Sequence, residues 1–336
     1  MKMFKWATLV MTLVMLAGGG LYFSKLSNQH DLEKPIRQQQ VDSDQDITTN
    51  GQKPEKKQVS EPLPNLGLQA KSVILLDAKN GDILYDKNID QSMPTASMSK
   101  LMTEFLVLES IHNNKITWEK SVSISDYAFA IGNNPGFASV HLNNAQPYTV
   151  RELFNAMAIH SANDAAIALA EAVAGSEKDF VGKMNETAKQ LGLENTHFVN
   201  STGLNNLDLG NFYSTGSPND TNIMSAKDVA LLAQQLIAQF PEILDVVAKP
   251  KLKFGQHTYT NSNWMLPAIN KQNAGFEGVD GLKTGYTDEA GYCFVGTVKK
   301  NDRRLISVVM GASSKISRYS ETARLYETAF KQIAIK

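Results

Sequence analysis

The sequence predicts an α+β fold, in which an antiparallel sheet flanked by helices is formed from both ends of the folded region and a helical lobe is inserted between them. Three observations predict it. β-rich runs begin after residue 66, capped helical segments fill the middle, and β-rich runs return before a closing helix. Such distant strands must meet to bury their apolar faces, which leaves the helices as a lobe of their own. Clefts between lobes commonly hold small-molecule sites.

The first elements are a β-hairpin and an apolar helix. The stretch "SVILLDAKNGDILYD" has two β-rich runs around Asn80 and Gly81, a strong signal for a short hairpin. A helix is predicted to start at about residues 95–97, after a proline, because apolar residues recur at helical spacing from Leu101 to Leu108.

Three helices in the middle of the chain begin with capping patterns. The patterns are TVRE (149–152), SEKD (176–179) and SAKD (225–228). The intervening segment "NDAAIALAEAVAG" is predicted to form a helix that ends at Gly175. Residues 198–222 form a long turn-rich stretch, and a loop of that length in a compact domain usually lines a site or is mobile.

The C-terminal part returns to β-rich sequence. Three strands are predicted, and their sequences are "GLKTGYT", "GYCFVGTVKK" and "RRLISVVMGAS". A closing helix follows from about Arg318. Together with the first hairpin, these strands supply the predicted sheet.

Composition argues against several classes of protein. The 336 residues carry a formal net charge of −1, so there is no reason to expect a nucleic-acid partner. The single cysteine, Cys293, cannot form an intrachain disulfide or a cysteine-rich metal site and is expected to be a small core residue. The six histidines are scattered without ligand spacing, so metal catalysis is not expected. No other cofactor is predicted.

Residues 1–23 are predicted to target the membrane. Lys2 and Lys5 precede an apolar run over residues 6–23. This run exceeds a signal-peptide core of about 7–15 residues and matches the short end of the roughly 17–25 residues that span a bilayer. Its length favours an uncleaved anchor, and the small residues 17–19 leave a cleaved signal peptide as the alternative. In both cases the lysines hold that end in the cytoplasm and the rest is exported.

The domain organisation follows from a change in composition after this segment. Residues 24–65 are rich in Gln, Asp, Lys, Ser and Pro and have no apolar periodicity. Such a tract cannot bury enough surface to become ordered, so it is predicted to be a disordered polar linker. The remaining residues, 66–336, are predicted to form one folded domain tethered to the membrane.

Three short motifs carry the predicted chemistry. Ser97 and Lys100 form S-x-x-K, Ser161 and Asn163 form S-x-N, and residues 283–285 form K-T-G. Each motif alone has an ordinary explanation, because a serine can cap a helix, a lysine can extend to the surface and a glycine can bend a strand. In this order and in these structural contexts, the three form the signature of the serine active-site penicillin-recognising enzymes.

Four segments extend this resemblance to one family. The segments are "TASMSKLMT", "IHSANDAAIALAEAVAG", "NSTGL" and "GVDGLKTGYTDEAGYCFVGT". They closely resemble the low-molecular-weight penicillin-binding proteins, the serine-type D-alanyl-D-alanine carboxypeptidases, over about residues 66–330. The resemblance implies the transpeptidase fold shared with serine β-lactamases. It also implies peptidoglycan stem peptides ending in D-Ala-D-Ala as substrates and β-lactams as covalent inhibitors.

The resemblance assigns catalytic roles to three residues. Ser97 is the expected nucleophile, and Lys100 lies one helical turn further on the same face. A lysine with an ordinary pKa is a poor base at neutral pH, but burial and a neighbouring cation such as Lys283 would lower that pKa. Ser161 resembles the family's second serine, which relays a proton to the leaving amine.

Other matched positions are expected to bind substrate. Asn163 would hydrogen-bond the substrate amide or the catalytic lysine. Lys283 and Thr284 would hold the substrate's terminal carboxylate, and Gly285 would let the substrate backbone lie against the strand. The resemblance implies an oxyanion hole formed by the backbone N–H groups of Ser97 and Tyr286.

Two features depart from the family's common pattern, and one match is ambiguous. Tyr286 follows K-T-G where the family often has histidine, which keeps the backbone donor and changes the side chain. The sequence ends at Lys336, soon after the catalytic domain, so membrane attachment is expected through the N-terminal segment. Arg318 matches a family arginine near the carboxylate, although a cation at a helix end explains it equally well.

Two rival functions share parts of this pattern. A serine β-lactamase needs a carboxylate that positions water for deacylation, and no segment resembles that element. A tethered β-lactam or muropeptide sensor would be acylated without turnover, but about five residues precede the apolar run and leave no cytoplasmic output domain. The favoured prediction is a carboxypeptidase on the extracytoplasmic face of a bacterial envelope.

Overall fold

The computed structural model describes residues 62–334, and the chain has the predicted α+β fold. The strands in chain order are β1 (Ser72–Asp77), β2 (Ile83–Lys87), β3 (Met93–Pro94), β4 (Ser121–Val122), β5 (Tyr148–Thr149), β6 (Ile223–Met224), β7 (Lys251–Phe254), β8 (His257–Thr260), β9 (Val279–Thr287), β10 (Gly291–Lys300) and β11 (Arg303–Ala312). The α-helices are α1 (Lys100–His112), α2 (Asp126–Gly132), α3 (Val150–His160), α4 (Asn163–Ala174), α5 (Glu177–Gln190), α6 (Asn206–Leu209), α7 (Ala226–Gln239), α8 (Ile243–Val247) and α9 (Lys315–Ala334).

The central sheet joins the two ends of the folded region, as predicted. Its five strands lie in the order β2-β1-β11-β10-β9, and every neighbouring pair is antiparallel. The first hairpin therefore pairs through β1 with the strand that precedes the last helix. β9, which carries K-T-G, is an edge strand that pairs only with β10 in this sheet.

The sheet separates two apolar cores, so its inner strands are covered on both faces. In β1, Ile74 and Leu76 belong to the core shared with the inserted helices, whereas Val73 and Leu75 face the core beneath α9. All six residues of β1 are buried. A strand covered on both faces needs a continuous apolar run rather than an alternating one, which matches its sequence "SVILLD".

The helix caps confirm the sequence patterns. Thr149 forms a complete capping box at the start of α3, and Ser176 and Ser225 each accept a backbone hydrogen bond at the starts of α5 and α7. Gly175 ends α4 in the left-handed region. Each cap satisfies a backbone group that a helix end would otherwise leave unpaired.

Two helix starts differ from the predictions. The apolar helix is preceded by a 3-10 turn over Ala96–Ser99, and α1 itself begins at Lys100. The last helix begins at Lys315 rather than at Arg318, because the side chain of Ser314 accepts a hydrogen bond from the backbone N–H of Ser317. The sequence prediction missed that serine cap.

Several smaller elements have no counterpart in the predictions. They are the hairpin of β7 and β8, the short helices α2 and α8, and the two-residue strand pairs β3–β6 and β4–β5. Long loops between the larger elements carry them. Their short length gives a sequence pattern little room to show a period.

The predicted N-terminal segment, residues 1–23, lies outside the described residues, as do residues 24–61 of the predicted linker. At the boundary, the backbone N–H of Leu63 donates a 2.7 Å hydrogen bond to the carbonyl of Leu84 on β2. Residue 63, within the predicted linker, thus contacts the sheet. Within residues 62–334, the helices are all too short or too polar to cross a bilayer.

Candidate active site

Ser97 lies in a tight turn at the start of the central helix. It is part of the 3-10 turn that precedes α1, and Lys100 is the first residue of that helix. The spacing of three residues brings both side chains to one face. The Nζ of Lys100 is 3.0 Å from the Oγ of Ser97, so the S-x-x-K pair is in direct contact.

Lys100 is completely buried and contacts two further oxygens. Its Nζ donates to the Oδ1 of Asn163 at 2.6 Å and to the backbone carbonyl of Thr202 at 2.7 Å. Burial holds the pKa of Lys100 well below its ordinary value, and the positive charge of Lys283 lowers it further. The lysine is therefore suited to act as a neutral base.

The joint between α3 and α4 supplies the second serine. Ser161 ends α3 in the left-handed conformation with φ of 68°, which is uncommon for a residue that has a Cβ. Asn163 begins α4 two residues later. The sharp reversal lets the joint face both lysines, because Asn163 contacts Lys100 while the Oγ of Ser161 accepts a 2.7 Å hydrogen bond from the Nζ of Lys283.

Lys283 projects from β9 and is also buried. Besides Ser161, its Nζ contacts the backbone carbonyl of Thr284 at 3.2 Å. Burial lowers the pKa of Lys283, and the carboxyl group of Glu104 opposes that decrease. Two lysines thus lie in one buried region, and each contacts its own serine.

Glu104 is a buried residue that the sequence analysis did not single out. It lies one turn after Lys100 on α1, and its side chain is fully buried. Neither carboxylate oxygen has a hydrogen-bond partner among the described residues. Burial raises the pKa of Glu104, and the charges of Lys283 and Lys100 act against that increase. The apolar sequence around it gives no sign of this environment.

The turn-rich loop after α5 carries the carbonyl that contacts Lys100. The Oδ1 of Asn200 accepts hydrogen bonds from the backbone N–H groups of Thr202 and Gly203 and from the Thr202 hydroxyl, at 2.8–3.1 Å. Its Nδ2 donates to the carbonyl of Leu204 at 2.8 Å. Asn200 therefore fixes this part of the loop internally, and the loop, which was predicted to line a site or to be mobile, lies against Lys100 at Thr202.

Close backbone contacts explain why glycine stands at two positions in the segments that resemble the family. A Cβ on Gly203 would lie 2.0 Å from the carbonyl oxygen of Ala96. A Cβ on Gly285 would lie 2.7 Å from the carbonyl oxygen of Thr95. Both glycines let their segments pack directly on the turn that carries Ser97. For Gly285 this is a different reason from the expected one, which concerned the substrate backbone.

The remaining predicted residues lie along the end of β9. The Oγ1 of Thr284 donates to the Oγ of Ser262 at 3.0 Å. Tyr286 is half exposed, and its hydroxyl donates to Asp288 at 2.7 Å. Arg318 is buried and donates through Nη1 to the carbonyl of Gly285 at 3.2 Å, so it supports this strand directly.

A model of the D-alanyl-D-alanine carboxypeptidase family matches residues 55–314, which include all of these side chains except Arg318. The chain belongs to this family. The match extends over most of the chain, so membership rests on far more than the three short motifs.

Individual members of the family are similar over the same region. The chain is 35% identical to D-alanyl-D-alanine carboxypeptidase DacF of Bacillus subtilis over 82% of its own length and 66% of the relative's. It is 35% identical to DacC of Escherichia coli over 79% of its own length and 62% of the relative's. The chain thus spans slightly less than two thirds of these curated relatives.

Solved structures agree in fold. The peptidoglycan synthesis regulatory factor PBP3 of Streptococcus pneumoniae superposes with a TM-score of 0.74 and 40% identity, over 77% of this chain and 73% of that one. Penicillin-binding protein D2 of Listeria monocytogenes, in its ampicillin-bound form, gives a TM-score of 0.67 and 35% identity over 80% and 99%. The fold is that of the penicillin-binding proteins, as predicted.

The structure brings the predicted residues of this family member together in two contact groups. The first is Ser97, Lys100 and Asn163, and the second is Ser161 and Lys283. Sequence reasoning missed Glu104, Ser262 and the carbonyl of Thr202, although Thr202 lies within the quoted "NSTGL". Within residues 62–334, no group of three or more His, Cys, Asp and Glu side chains is placed to hold a metal ion.

Proposed function

We propose that the protein is a serine-type D-alanyl-D-alanine carboxypeptidase, which removes the terminal D-Ala from peptidoglycan stem peptides. The observation that carries this proposal is the 3.0 Å contact between Ser97 and a completely buried Lys100. In this proposal β-lactams acylate the same serine, because their ring amide occupies the position of the D-Ala-D-Ala peptide bond.

Hydrogen-bond counting supports Lys100 as the base. A neutral amine has two hydrogens and one lone pair. The carbonyl of Thr202 and the Oδ1 of Asn163 accept those two hydrogens. The lone pair is then directed towards Ser97, whose hydroxyl can donate to it. This geometry is that of a nucleophile beside its base.

Acylation follows from this arrangement. The Ser97 Oγ attacks the carbonyl carbon of the penultimate D-Ala, and its proton passes to Lys100. Backbone N–H groups of Ser97 and Tyr286 would stabilise the oxyanion. The carbon–nitrogen bond then breaks, and Ser161, linked to Lys283, would relay a proton to the departing amine. Water hydrolyses the resulting ester and releases the shortened peptide.

The substrate's terminal carboxylate would lie at the end of β9. Lys283 and Thr284 offer a cation and a hydroxyl there, and Arg318 adds a second positive charge behind Gly285. Because β9 is an edge strand, the substrate backbone can pair along it. Asn163 contacts Lys100, which supports the lysine alternative for this side chain over the substrate amide.

The direct test uses a soluble form of the protein and a peptide that ends in D-Ala-D-Ala. Release of free D-Ala is measured, together with covalent labelling by benzylpenicillin in intact-mass spectrometry. We expect turnover and one adduct, with both lost in Ser97→Ala. An adduct that persists in Ser97→Ala would refute the assignment of the nucleophile. Labelling without D-Ala release would favour a sensor, and rapid penicillin hydrolysis would favour a β-lactamase.

We also propose that residues 1–23 attach the protein to the membrane of a bacterial cell envelope, and that residues 24–65 tether the catalytic domain on the extracytoplasmic side. The length of the apolar run and the lysines before it support this arrangement. Fractionation of cells tests it, because an uncleaved anchor keeps the intact chain in membranes at high salt. Recovery of a soluble form that starts near Gly20 would instead identify a signal peptide.

A further inference from the structure

Glu104 is an ionisable group that the proposed mechanism does not use. It is fully buried on α1, one helical turn after Lys100, and its two carboxylate oxygens have no hydrogen-bond partner among the described residues. Leaving a buried carboxylate without hydrogen bonds is costly. A purely structural role would be served as well by an apolar side chain of similar volume.

The charges around Glu104 indicate what it does. The two cations that act on it are Lys100 on the same helix and Lys283 on β9. Further groups act on those lysines, namely Asp164 on Lys100 and Arg318 on Lys283, and Lys283 in turn acts on His160. The site therefore contains two buried amines and one buried carboxyl group that lacks hydrogen bonds of its own.

The proposed reaction requires different protonation states for the two lysines. Lys100 must be neutral to accept the serine proton, and Lys283 must be positive to attract a carboxylate. Burial disfavours charge on both. One nearby negative charge can balance one positive charge, so a single buried carboxylate permits one of the two lysines to remain protonated.

We propose that Glu104 acts through the two lysines: its buried carboxylate is the counter-ion that keeps Lys283 positively charged while Lys100 is neutral. The inference rests on the proposed acyl-enzyme function and deepens it. The two lysines differ in which serine they contact, because the amine of Lys100 faces the nucleophile Ser97 whereas the amine of Lys283 faces Ser161 and lies on the strand that would bind the substrate carboxylate.

Removing this charge should move both limbs of the pH profile in one direction. A negative charge raises the pKa of each nearby lysine, so its loss lowers both. The acid limb of kcat/KM, where Lys100 loses its proton, should move to lower pH in Glu104→Gln. The alkaline limb, where Lys283 loses its proton, should move the same way, and we expect shifts of at least about one pH unit.

The experiment measures acylation by a fluorescent penicillin across pH in the wild-type protein, Glu104→Gln, Glu104→Asp and Glu109→Gln. Glu104→Asp keeps the charge and should stay close to the wild-type profile. Glu109→Gln makes the same chemical change near the end of α1, outside the buried cluster, and serves as the matched control. Circular dichroism checks folding, and Glu104→Met replaces Glu104→Gln if the latter does not fold.

A second measurement follows the charge of Lys283 through substrate binding, in a protein that cannot be acylated. In a Ser97→Ala background, the affinity for a D-Ala-D-Ala peptide is measured across pH by calorimetry. Glu104→Gln should lose affinity at lower pH than the Ser97→Ala parent. A reduced acylation rate with both limbs unmoved would overturn the inference and leave the proposed function intact. Absence of acylation in the wild-type protein would overturn the proposed function and this inference with it.

Discussion

The two lysines of the site are chemically identical side chains, but different groups surround their amines. Lys100 is held by acceptors on α4 and on the loop after α5, beside the Ser97 hydroxyl. Lys283 contacts Ser161 and lies on the edge strand, where a substrate carboxylate would lie. The first environment suits a base and the second suits a fixed cation.

Arginine substitutions should separate these roles. Arginine cannot be deprotonated in a protein, so Lys100→Arg should reduce acylation by at least about 10²–10⁴-fold, the usual contribution of a general base. Lys283→Arg keeps the positive charge and should retain partial activity. The rates are measured with a fluorescent penicillin after circular dichroism has shown that both variants fold. Near-normal acylation by folded Lys100→Arg would contradict a basic role for this lysine.

Gly285 should be intolerant of even one methyl group. In Gly285→Ala the new Cβ would meet the carbonyl oxygen of Thr95 at 2.7 Å and push β9 away from the turn of Ser97. We expect a loss of about 1–3 kcal/mol in the free energy of unfolding, together with slower acylation. Urea denaturation and penicillin labelling measure the two effects.

The control for that prediction is Gly182→Ala. Gly182 is an exposed residue inside α5 with open space around its Cα, so alanine there should stabilise the protein by up to about 1 kcal/mol. Equal stability of Gly285→Ala and the wild-type protein would mean that β9 does not need this close approach.

The buried carboxyl of Glu104 should also affect stability with pH. Burial raises its pKa above the unfolded value, so its contribution to stability is present below the unfolded pKa and lost as pH rises through the folded pKa. Glutamine does not ionise, so the Glu104→Gln variant does not lose stability in this way as pH rises. Its free energy of unfolding should therefore rise relative to the wild-type protein by about 1–3 kcal/mol between about pH 5 and about pH 8.

Urea denaturation of the two proteins at several pH values measures this difference. Removal of the carboxylate also lowers the pKa of both lysines, which makes their protonation at low pH more costly and acts in the same direction. A difference in stability that stays constant with pH would contradict a titrating Glu104.

Sequence alone predicts those parts of the site that local geometry determines. Ser97 and Lys100 meet because three residues make one helical turn, and this holds whatever the rest of the chain does. Glu104 lies four residues after Lys100, one further helical turn along α1, but a glutamate on a helix usually faces water. The burial of Glu104 depends on how the surrounding elements pack. The position of the Thr202 carbonyl depends on a loop conformation that has no recognisable sequence pattern.

At the scale of elements, the part of the loop after α5 that contacts Lys100, at Ser201 and Thr202, is held in place without regular secondary structure. Its backbone is fixed by side chains from neighbouring helices. The carboxylate of Glu177 on α5 accepts hydrogen bonds from the N–H and hydroxyl of Ser201, and Thr103 on α1 donates to the carbonyl of Ser201. The N–H, carbonyl and hydroxyl of Ser201, the residue before the carbonyl that contacts Lys100, are thereby all paired.

Asn200→Ala should weaken the contact between the Thr202 carbonyl of this loop and Lys100. The substitution leaves the backbone N–H groups of Thr202 and Gly203 and the carbonyl of Leu204 without their partner. We expect a loss of about 2–4 kcal/mol in the free energy of unfolding, since each unsatisfied buried group costs about 1–3 kcal/mol and part of that is recovered by water. Acylation should slow as the Thr202 carbonyl leaves Lys100.

Thermal unfolding and labelling with a fluorescent penicillin test both parts of that prediction. Asn143→Ala, at an exposed turn, provides the control, because its side chain accepts a hydrogen bond only from a neighbouring exposed backbone group. Unchanged acylation in Asn200→Ala would show that the carbonyl of Thr202 is not needed to orient the lysine.

The elements that sequence patterns predicted are those with strong local signals. Thr149, Ser176 and Gly175 mark helix ends through their own side chains or backbone freedom. The hairpin of β7 and β8 was missed although lysines alternate with Leu252 and Phe254 in β7, because its two strands have only four residues each and most of their residues are partly or fully exposed. Its position is determined by packing against α3, which is a property of the folded lobe.

At the scale of the whole molecule, the segment before β1 packs as part of the folded domain. Leu68 and Ala70 are buried in the core beneath α9, and the backbone N–H of Ala70 donates to the carboxylate of Glu321 at 3.0 Å. The N-terminal end of the described region is thereby joined to the last helix, on the side of the sheet opposite the inserted helices.

Two truncated forms should therefore behave differently. A fragment starting at Lys57 should fold and react with penicillin like the full chain, because it keeps every contact described here. A fragment starting at Lys71 loses the buried Leu68 and Ala70 and should be less stable by about 2–5 kcal/mol. Thermal unfolding and labelling compare the two. Equal stability would place the start of the domain after residue 70.

The strand order also determines when the proposed active site can be complete during synthesis of the chain. A ribosome releases the chain from its N-terminus, so β1 emerges long before β11, the strand that must lie beside it. A nascent chain stopped before residue 279 holds the serine and Lys100 but has neither Lys283 nor three of the five strands beneath the site. We expect such unfinished chains to react with neither a D-Ala-D-Ala peptide nor a β-lactam, so the proposed activity requires the completed chain.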